Sequence, residues 1–248
     1  MRARLESVIG EYLGEHDADG IWGSPIVGFA DARSDGFRAL SETVHPDHLM
    51  PEDILPGATV VISIFVPFNR RVSDSNRDGD IPSEMWASAY RETNDMSKGM
   101  LDCLRSHIID MGYHAEVPSD TGRHDDSTYS VWSQRHIARL AGLGTFGMNN
   151  MLITSAGCCG RFYSLVTDLD VPPDHILEME RCLYRIDGSC GVCMHRCIAH
   201  ALGPDGFDRM ACDRVCRRSE RDIGEDVCGK CTVGIPCAHR DPSDIGRQ

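Results

Sequence analysis

Apolar residues along this chain recur with two distinct periods. Leu5, Val8, Ile9, Tyr12 and Leu13 fall at helical spacing, which predicts an amphipathic N-terminal helix facing a core. Ile26–Ala30 (IVGFA) predicts a short strand. Thr59–Phe68 (TVVISIFVPF) is almost continuously apolar and β-branched, the pattern of a central strand buried on both faces. Met85–Met111 predicts a long helix with Met96, Met100, Leu101, Leu104, Ile108 and Ile109 on its core face, ended by Gly112. His114–Val117 and Met151–Ser155 predict short strands, Ser130–Leu140 a helix, and Arg161–Leu169 a second apolar strand. The polar stretches Asn69–Pro82 and Ser119–Ser127 predict surface loops, the first a candidate lid. Val171–Asp174 (VPPD) predicts a linker, so a boundary near 175–180 separates a domain of residues 1–178 from a smaller one of 179–248.

The formal charge of −13 sets the surface against phosphate backbones, which makes a tRNA or other nucleic-acid partner unexpected. No apolar run is long enough to span a membrane, and the N-terminus lacks the apolar centre of a signal peptide. With 12 cysteines and no export signal, the expectation is metal ligation in a reducing cytoplasm rather than disulfides.

Nine of those cysteines lie in the last 67 residues. One run is Cys190-x2-Cys193-x3-Cys197, the other Cys228-x2-Cys231-x5-Cys237, with Cys182 upstream and Cys212 and Cys216 between. Two-cluster ferredoxins send the last cysteine of each run to the other cluster. Interleaving in that way gives one 4Fe–4S cluster Cys182, Cys190, Cys193 and Cys237. The other takes Cys197, Cys212, Cys228 and Cys231, with Cys216 able to replace Cys212. Zinc is the competing occupant, since its sites use the same C-x2-C pairs and His195 and His200 lie nearby. Cys158 and Cys159 read as a packed turn or as a redox-active thiol pair, and Cys103 as a small core residue.

Gly142-Leu-Gly144-Thr-Phe-Gly147 matches a dinucleotide fingerprint in letters only, because it follows a helix and precedes a strand. Its glycines permit a close backbone approach to a cofactor or to a neighbouring element. Arg135, His136 and Arg161 flank this block and offer cations for a phosphate or carboxamide, or else for salt bridges.

The blocks AGLGTFGMNNMLIT and GRFYSLVTDL followed by the two cysteine runs, with softer matches at WSQRH and LPGATVVISIFVPF, resemble the epoxyqueuosine reductase family. The resemblance is to its short iron–sulfur relatives, because the C-terminal repeats used for tRNA are absent. It implies an α+β fold: a nitroreductase-like, corrinoid-binding domain followed by a ferredoxin-like two-cluster domain. It also implies base-off cobalamin reduced by two 4Fe–4S clusters, with a flavin as the alternative. Carried over, Gly142, Gly144 and Gly147 match the corrinoid-facing loop, and Asn150, Leu152 and Thr154 continue it. Met148 stands where the family has lysine, and Thr145 where it has tryptophan. The family's catalytic aspartate precedes the loop by about a dozen residues, and Asp126 or Asp125 is the nearest candidate.

The resulting expectation is a cytoplasmic oxidoreductase fed by a low-potential donor such as ferredoxin or flavodoxin, acting on a small substrate. Asp126 and His136 are candidate proton donors, with Arg135, Gly142, Gly144, Thr145, Gly147, Asn150, Thr154 and Arg161 around the cofactor. A non-catalytic electron carrier and a zinc-stapled binding module are the alternatives.

Overall fold

The computed structural model describes residues 1–118 and 130–246. Its centre is a four-stranded antiparallel sheet of β1 (Ile26–Asp31), β2 (Val60–Pro67), β3 (Ala115–Glu116) and, later in the chain, β6 (Gly160–Thr167). The strand order is β1-β2-β6-β3. β2 is buried along its whole length, as its unbroken apolar run requires.

Alternation along β2 divides the core. Val60, Ile62, Ile64 and Val66 face helices α1 (Arg2–His16) and α2 (Glu84–Asp110), meeting Leu5, Ile9 and Leu13 from one and Met96, Met100, Leu104 and Ile108 from the other. Val61 and Phe65 face the opposite layer, which contains Trp132, Phe37 and helix α3 (Gln134–Leu140). Trp132 is fully buried, and its indole N–H donates to Ser164 Oγ at 2.9 Å. The sheet is thus covered on both sides, in an α+β arrangement.

After α3, two short strands β4 (Thr145–Phe146) and β5 (Leu152–Ile153) form a hairpin. The cysteine-rich segment follows β6. It contains short helices at Leu183–Asp187 and Val192–Arg196, a two-residue hairpin of β7 (Leu202–Gly203) and β8 (Gly206–Phe207), and helix α4 (Arg209–Ile223). Among the described residues no helix is long and apolar enough to cross a membrane.

Several local expectations change. Asn69–Pro82 is no lid: Arg70–Ser75 is helical, and Asn76 Nδ2 donates to Cys228 O at 2.9 Å. The buried Lys230 ammonium donates to Asn76 O and Asp78 O, tying this stretch to the cysteine segment. Val171–Asp174 is not a free linker either, because Asp174 receives Arg2 and the Phe29 amide. Cys103 and Ile109 are exposed, since the long helix turns that edge to solvent. The loop expected at Ser119–Ser127 lies outside the described residues.

The cysteine segment is stapled to the sheet hairpins by Arg181. Its Nε meets Asp241 Oδ2 at 2.7 Å with both side chains largely buried, and its Nη1 donates to Leu143 O and Ile153 O. Arg181→Ala strands a buried carboxylate and two carbonyls, and is expected to destabilise the protein by about 3 kcal/mol in denaturant unfolding. A loss below about 1 kcal/mol, the range of exposed pairs, contradicts this account.

Candidate redox site

Eight cysteines expected as ligands gather in two places. Cys182, Cys190, Cys193 and Cys237 line one narrow pocket together with Gly147, Met148 and Asn149. Cys197, Cys212, Cys216, Cys228 and Cys231 line a second, much larger cleft of ≈ 560 Å³. The partition is the interleaved one, with Cys216 added to the second set. Cys212 and Cys216 lie one turn apart on α4 and hydrogen-bond each other through sulfur.

The donor chemistry of both sets suits a cationic iron centre. Burial pushes the Cys193 thiol up to about 12, with Cys237, Cys182 and Cys190 adding to it. Burial likewise raises Cys228 and Cys231, while the sulfur contacts to Cys212 and Cys158 lead in raising Cys216 and Cys237. Such crowded, neutral thiols give up their protons when a metal supplies positive charge. Among the described residues, no three His, Cys, Asp or Glu side chains close to single-ion spacing. The first pocket is tight at ≈ 20 Å³. The helix Leu183–Asp187 forms one side of it, and none of that helix's residues is buried.

The second cleft extends beyond its sulfurs. Trp86 and Tyr90, one turn apart on α2, form an aromatic wall, and Arg135, Arg161 and Arg209 line the same space. Arg161 lies 4.4 Å over the Tyr90 ring and donates to Asn94 Oδ1 at 3.0 Å. Arg135 donates to Asn150 O at 2.5 Å, holding Asn150 in a left-handed conformation with φ 58°. Burial first, then the Arg209 charge, lowers the Arg135 pKa. Trp86 is 4% exposed, yet among the described residues its Nε1 has no hydrogen-bond partner. An orphaned buried donor beside clustered cations fits a ligand with acceptor atoms.

The glycine block turns out to pack mainly against its own chain. A Cβ on Gly142 collides with His175 O, and one on Gly144 with Ile153 O. Neither lines the large cleft, and close packing against the chain's own backbone is what excludes a side chain there. Gly147 reaches the first cysteine pocket. The Thr145 hydroxyl donates to Glu180 Oε1 at 3.0 Å and so ties the hairpin to the start of the cysteine segment, while Thr154 donates to Gly157 O at 2.8 Å within a turn. Asn150, Arg135 and Arg161 do line the cleft. Asp125 and Asp126 lie outside the described residues.

His136 does not line the cleft. Its Nδ1 meets Ser133 Oγ at 2.8 Å and its ring packs 4.8 Å from Phe146. Burial, then the Arg135 charge, lowers its pKa to about 4, so at neutral pH it carries no proton to spare as an acid. Trp86, Tyr90, Asn149 and Arg209 were not singled out from the sequence. Trp86 and Tyr90 at i and i+4 gave a signal, but one shared with any core-facing aromatic pair.

No protein-family model matches the sequence, and no curated protein matches it. Solved structures match in fold. Epoxyqueuosine reductase with an epoxyqueuosine-modified tRNA-Tyr stem loop superposes with TM-score 0.54 at 20% identity, over 87% of this chain and 58% of that one. Epoxyqueuosine reductase from Streptococcus thermophilus gives TM-score 0.54 at 18% identity, over 98% of this chain and 70% of that one. The chain has the epoxyqueuosine reductase fold. A catabolic reductive dehalogenase, NpRdhA, superposes with TM-score 0.64 at 17% identity, over 94% of this chain and 31% of that one. The chain therefore spans less than two thirds of the tRNA-bound reductase and under one third of the dehalogenase.

The His136 environment has a measurable consequence. The unfolded ring titrates near 6.5 and the folded ring near 4, so between these values the unfolded state holds more protons. Stability attributable to this residue falls as pH drops through that window, by about 1–2 kcal/mol once partial exposure is discounted. Unfolding of wild type and His136→Gln at pH 7.5 and pH 4.5 checks this: the variant's loss on acidification is expected to be smaller. Equal losses contradict it.

Proposed function

We propose that this chain is an iron–sulfur oxidoreductase that passes electrons from two 4Fe–4S clusters to a corrinoid, or a flavin, and on to a small substrate. One cluster takes Cys182, Cys190, Cys193 and Cys237, and the other takes Cys197, Cys212, Cys228 and Cys231. The observation that carries this reading is the shared cleft: the second cysteine set opens directly onto the wall of Trp86, Tyr90, Arg135 and Arg161. In this reading residues 1–178 are a nitroreductase-like cofactor domain and 179–248 a ferredoxin-like one.

When bound, the clusters supply one-electron carriers at potentials within roughly −700 to +450 mV, and the organic cofactor supplies the reductive chemistry. The chain's own residues bind and orient. Arg135 and Arg161 take neutral partners, Asn150 O and Asn94 Oδ1, and keep their charge for an anionic or carboxamide group of the ligand. Trp86 offers an indole N–H that has no partner among the described residues, and Tyr90 braces Arg161 by a cation–π contact. Asn149 and Asn150, set by the glycine block, stand between the two sites.

One observation favours electron entry by docking at the first site. Met179, Ile186 and Val192 are exposed on the segments carrying Cys182, Cys190 and Cys193. An apolar rim of this kind suits transient contact with a donor such as ferredoxin or flavodoxin. The same rim serves the second reading, a non-catalytic carrier that hands electrons to a partner protein.

Anaerobic reconstitution with iron and sulfide is expected to load about eight of each per chain. Cys228→Ala is expected to lose half of that iron, while Cys103→Ala, at an exposed remote thiol, keeps it all. Added cobalamin is expected to shift to the base-off visible spectrum, and Arg161→Gln to weaken that binding about tenfold, the loss of one charged hydrogen bond. Stoichiometric zinc with no iron uptake overturns the cluster reading. Full iron with no response to cobalamin or flavin leaves the carrier reading in its place.

A further inference from the structure

We propose that Cys158 is a fifth, non-ligating sulfur of the first cysteine site, whose S–H donates to the Cys237 sulfur and raises the reduction potential of the cluster held there. The inference rests on the two-cluster reading above and adds a potential-setting residue to it.

Cys158 is fully buried, and its Sγ lies 4.0 Å from Cys237 Sγ. The contact is built into the backbone, because Cys158 N donates to Cys237 O at 2.9 Å. Yet Cys158 does not line the pocket that Cys182, Cys190, Cys193 and Cys237 share. It stands behind Cys237, where a second layer of groups tunes a metal ligand.

Asn149 supplies a hydrogen bond to the Cys158 sulfur. Its Oδ1 accepts from Met151 N at 3.2 Å, which orients the amide. Its Nδ2 then lies 3.4 Å from Cys158 Sγ and 3.2 Å from Cys231 O. The Cys158 sulfur accepts from Asn149, and the direction of its contact with Cys237 follows from ligation: as a ligand Cys237 is a thiolate and can only accept. The order is Asn149 N–H to Cys158 S–H to Cys237 sulfur. One amide thus touches the backbone of the second site and the sulfur chain of the first.

Reduction makes a cluster more negative, and a donor aimed at a ligating sulfur stabilises the reduced form more than the oxidised one. Apolar surroundings strengthen that preference, because no solvent competes for the sulfur. Ile153, Val233, Ile235 and Ala238 are buried in the same cluster of side chains as Cys158.

The test is an EPR-monitored redox titration of the full, reconstituted chain, with iron counted in every sample. Cys158→Ala is expected to keep the wild-type iron content and to lower one of two midpoints. The expected size is about tenfold in the reduction equilibrium, which is about 59 mV for one electron. Cys158→Ser retains a donor and is expected to stay closer to wild type. If the alanine variant fails to fold, Asn149→Leu reports instead, with the same midpoint moved the same way.

Unmoved midpoints in a fully loaded variant overturn the inference and leave the two-cluster reading intact. Loss of half the iron in Cys158→Ala also overturns it, by making Cys158 a ligand. Wild-type protein that takes up no iron removes both.

Discussion

Cys158 and Cys159 donate their backbone N–H groups to Cys237 O and Ala238 O at 2.9 and 3.0 Å, and the first cysteine site depends on this short seam. Cys237 lies 44 residues beyond Cys193 in sequence, so the first site closes only where the chain is brought back and held. Gly157 leaves the room for it: a Cβ there meets Ala238 O and the Arg240 amide. Arg181 and Asp241 close the seam from the other side. On its far end, Cys159 O accepts from Phe68 N at 2.9 Å, and Gly160 begins β6. The buried sheet and the sulfur sites are consequently one continuous hydrogen-bonded frame.

That frame accounts for a contrast in charge. The chain carries −13 overall, while its large cleft sets Arg135, Arg161, Arg209 and Lys230 against Asp213 and Asp226, a local excess of cations. Net charge governs long-range encounters, and local charge governs what the cleft holds. An acidic exterior with a cationic interior suits a small anionic or dipolar ligand that enters the cleft, more than a polyanion that lies across the surface. The tRNA stem loop bound by one structure of the same fold belongs to a chain of which this one covers 58%.

The sheet, the long helix and the grouping of the cysteines were legible in the sequence because each is a periodic or spacing signal. β2 reads as buried from its unbroken apolar run, and the structure buries it throughout. The interleaving of ferredoxin runs grouped Cys182, Cys190, Cys193 and Cys237, and these four line one pocket. What spacing could not give was depth and direction. Cys103 sits on a helix with a core face but points away from it. The glycine block looked like a cradle, since close approach to backbone and close approach to a cofactor demand the same residue. Asn69–Pro82 looked like a loop free to move, because its charges hide the carbonyls that Lys230 binds. Cys158 and Asn149 acquire meaning only through Cys237, a contact 79 residues apart that no local pattern encodes.

Helix α2 shows how rigidity reaches the cleft. Trp86, Tyr90 and Asn94 recur every fourth residue and form one stripe, in which Tyr90 stacks on Arg161 and Asn94 accepts its hydrogen bond. Trp86 stands against Gly229, between Cys228 and Cys231, where any Cβ would strike the indole. A second stripe of Met96, Met100, Leu104 and Ile108 is buried against the sheet. The cleft wall and the core are therefore two faces of a single helix of 27 residues. Moving the wall would unseat those buried side chains, at a cost of about 1.5–3 kcal/mol for each one exposed. A wall this costly to displace keeps the aromatic and cationic groups at fixed distances from the sulfurs of the second site. Asn69–Pro82 is held down on the same side, where Asn76 meets the Cys228 carbonyl and the Lys230 ammonium, so the cleft is bounded by anchored segments.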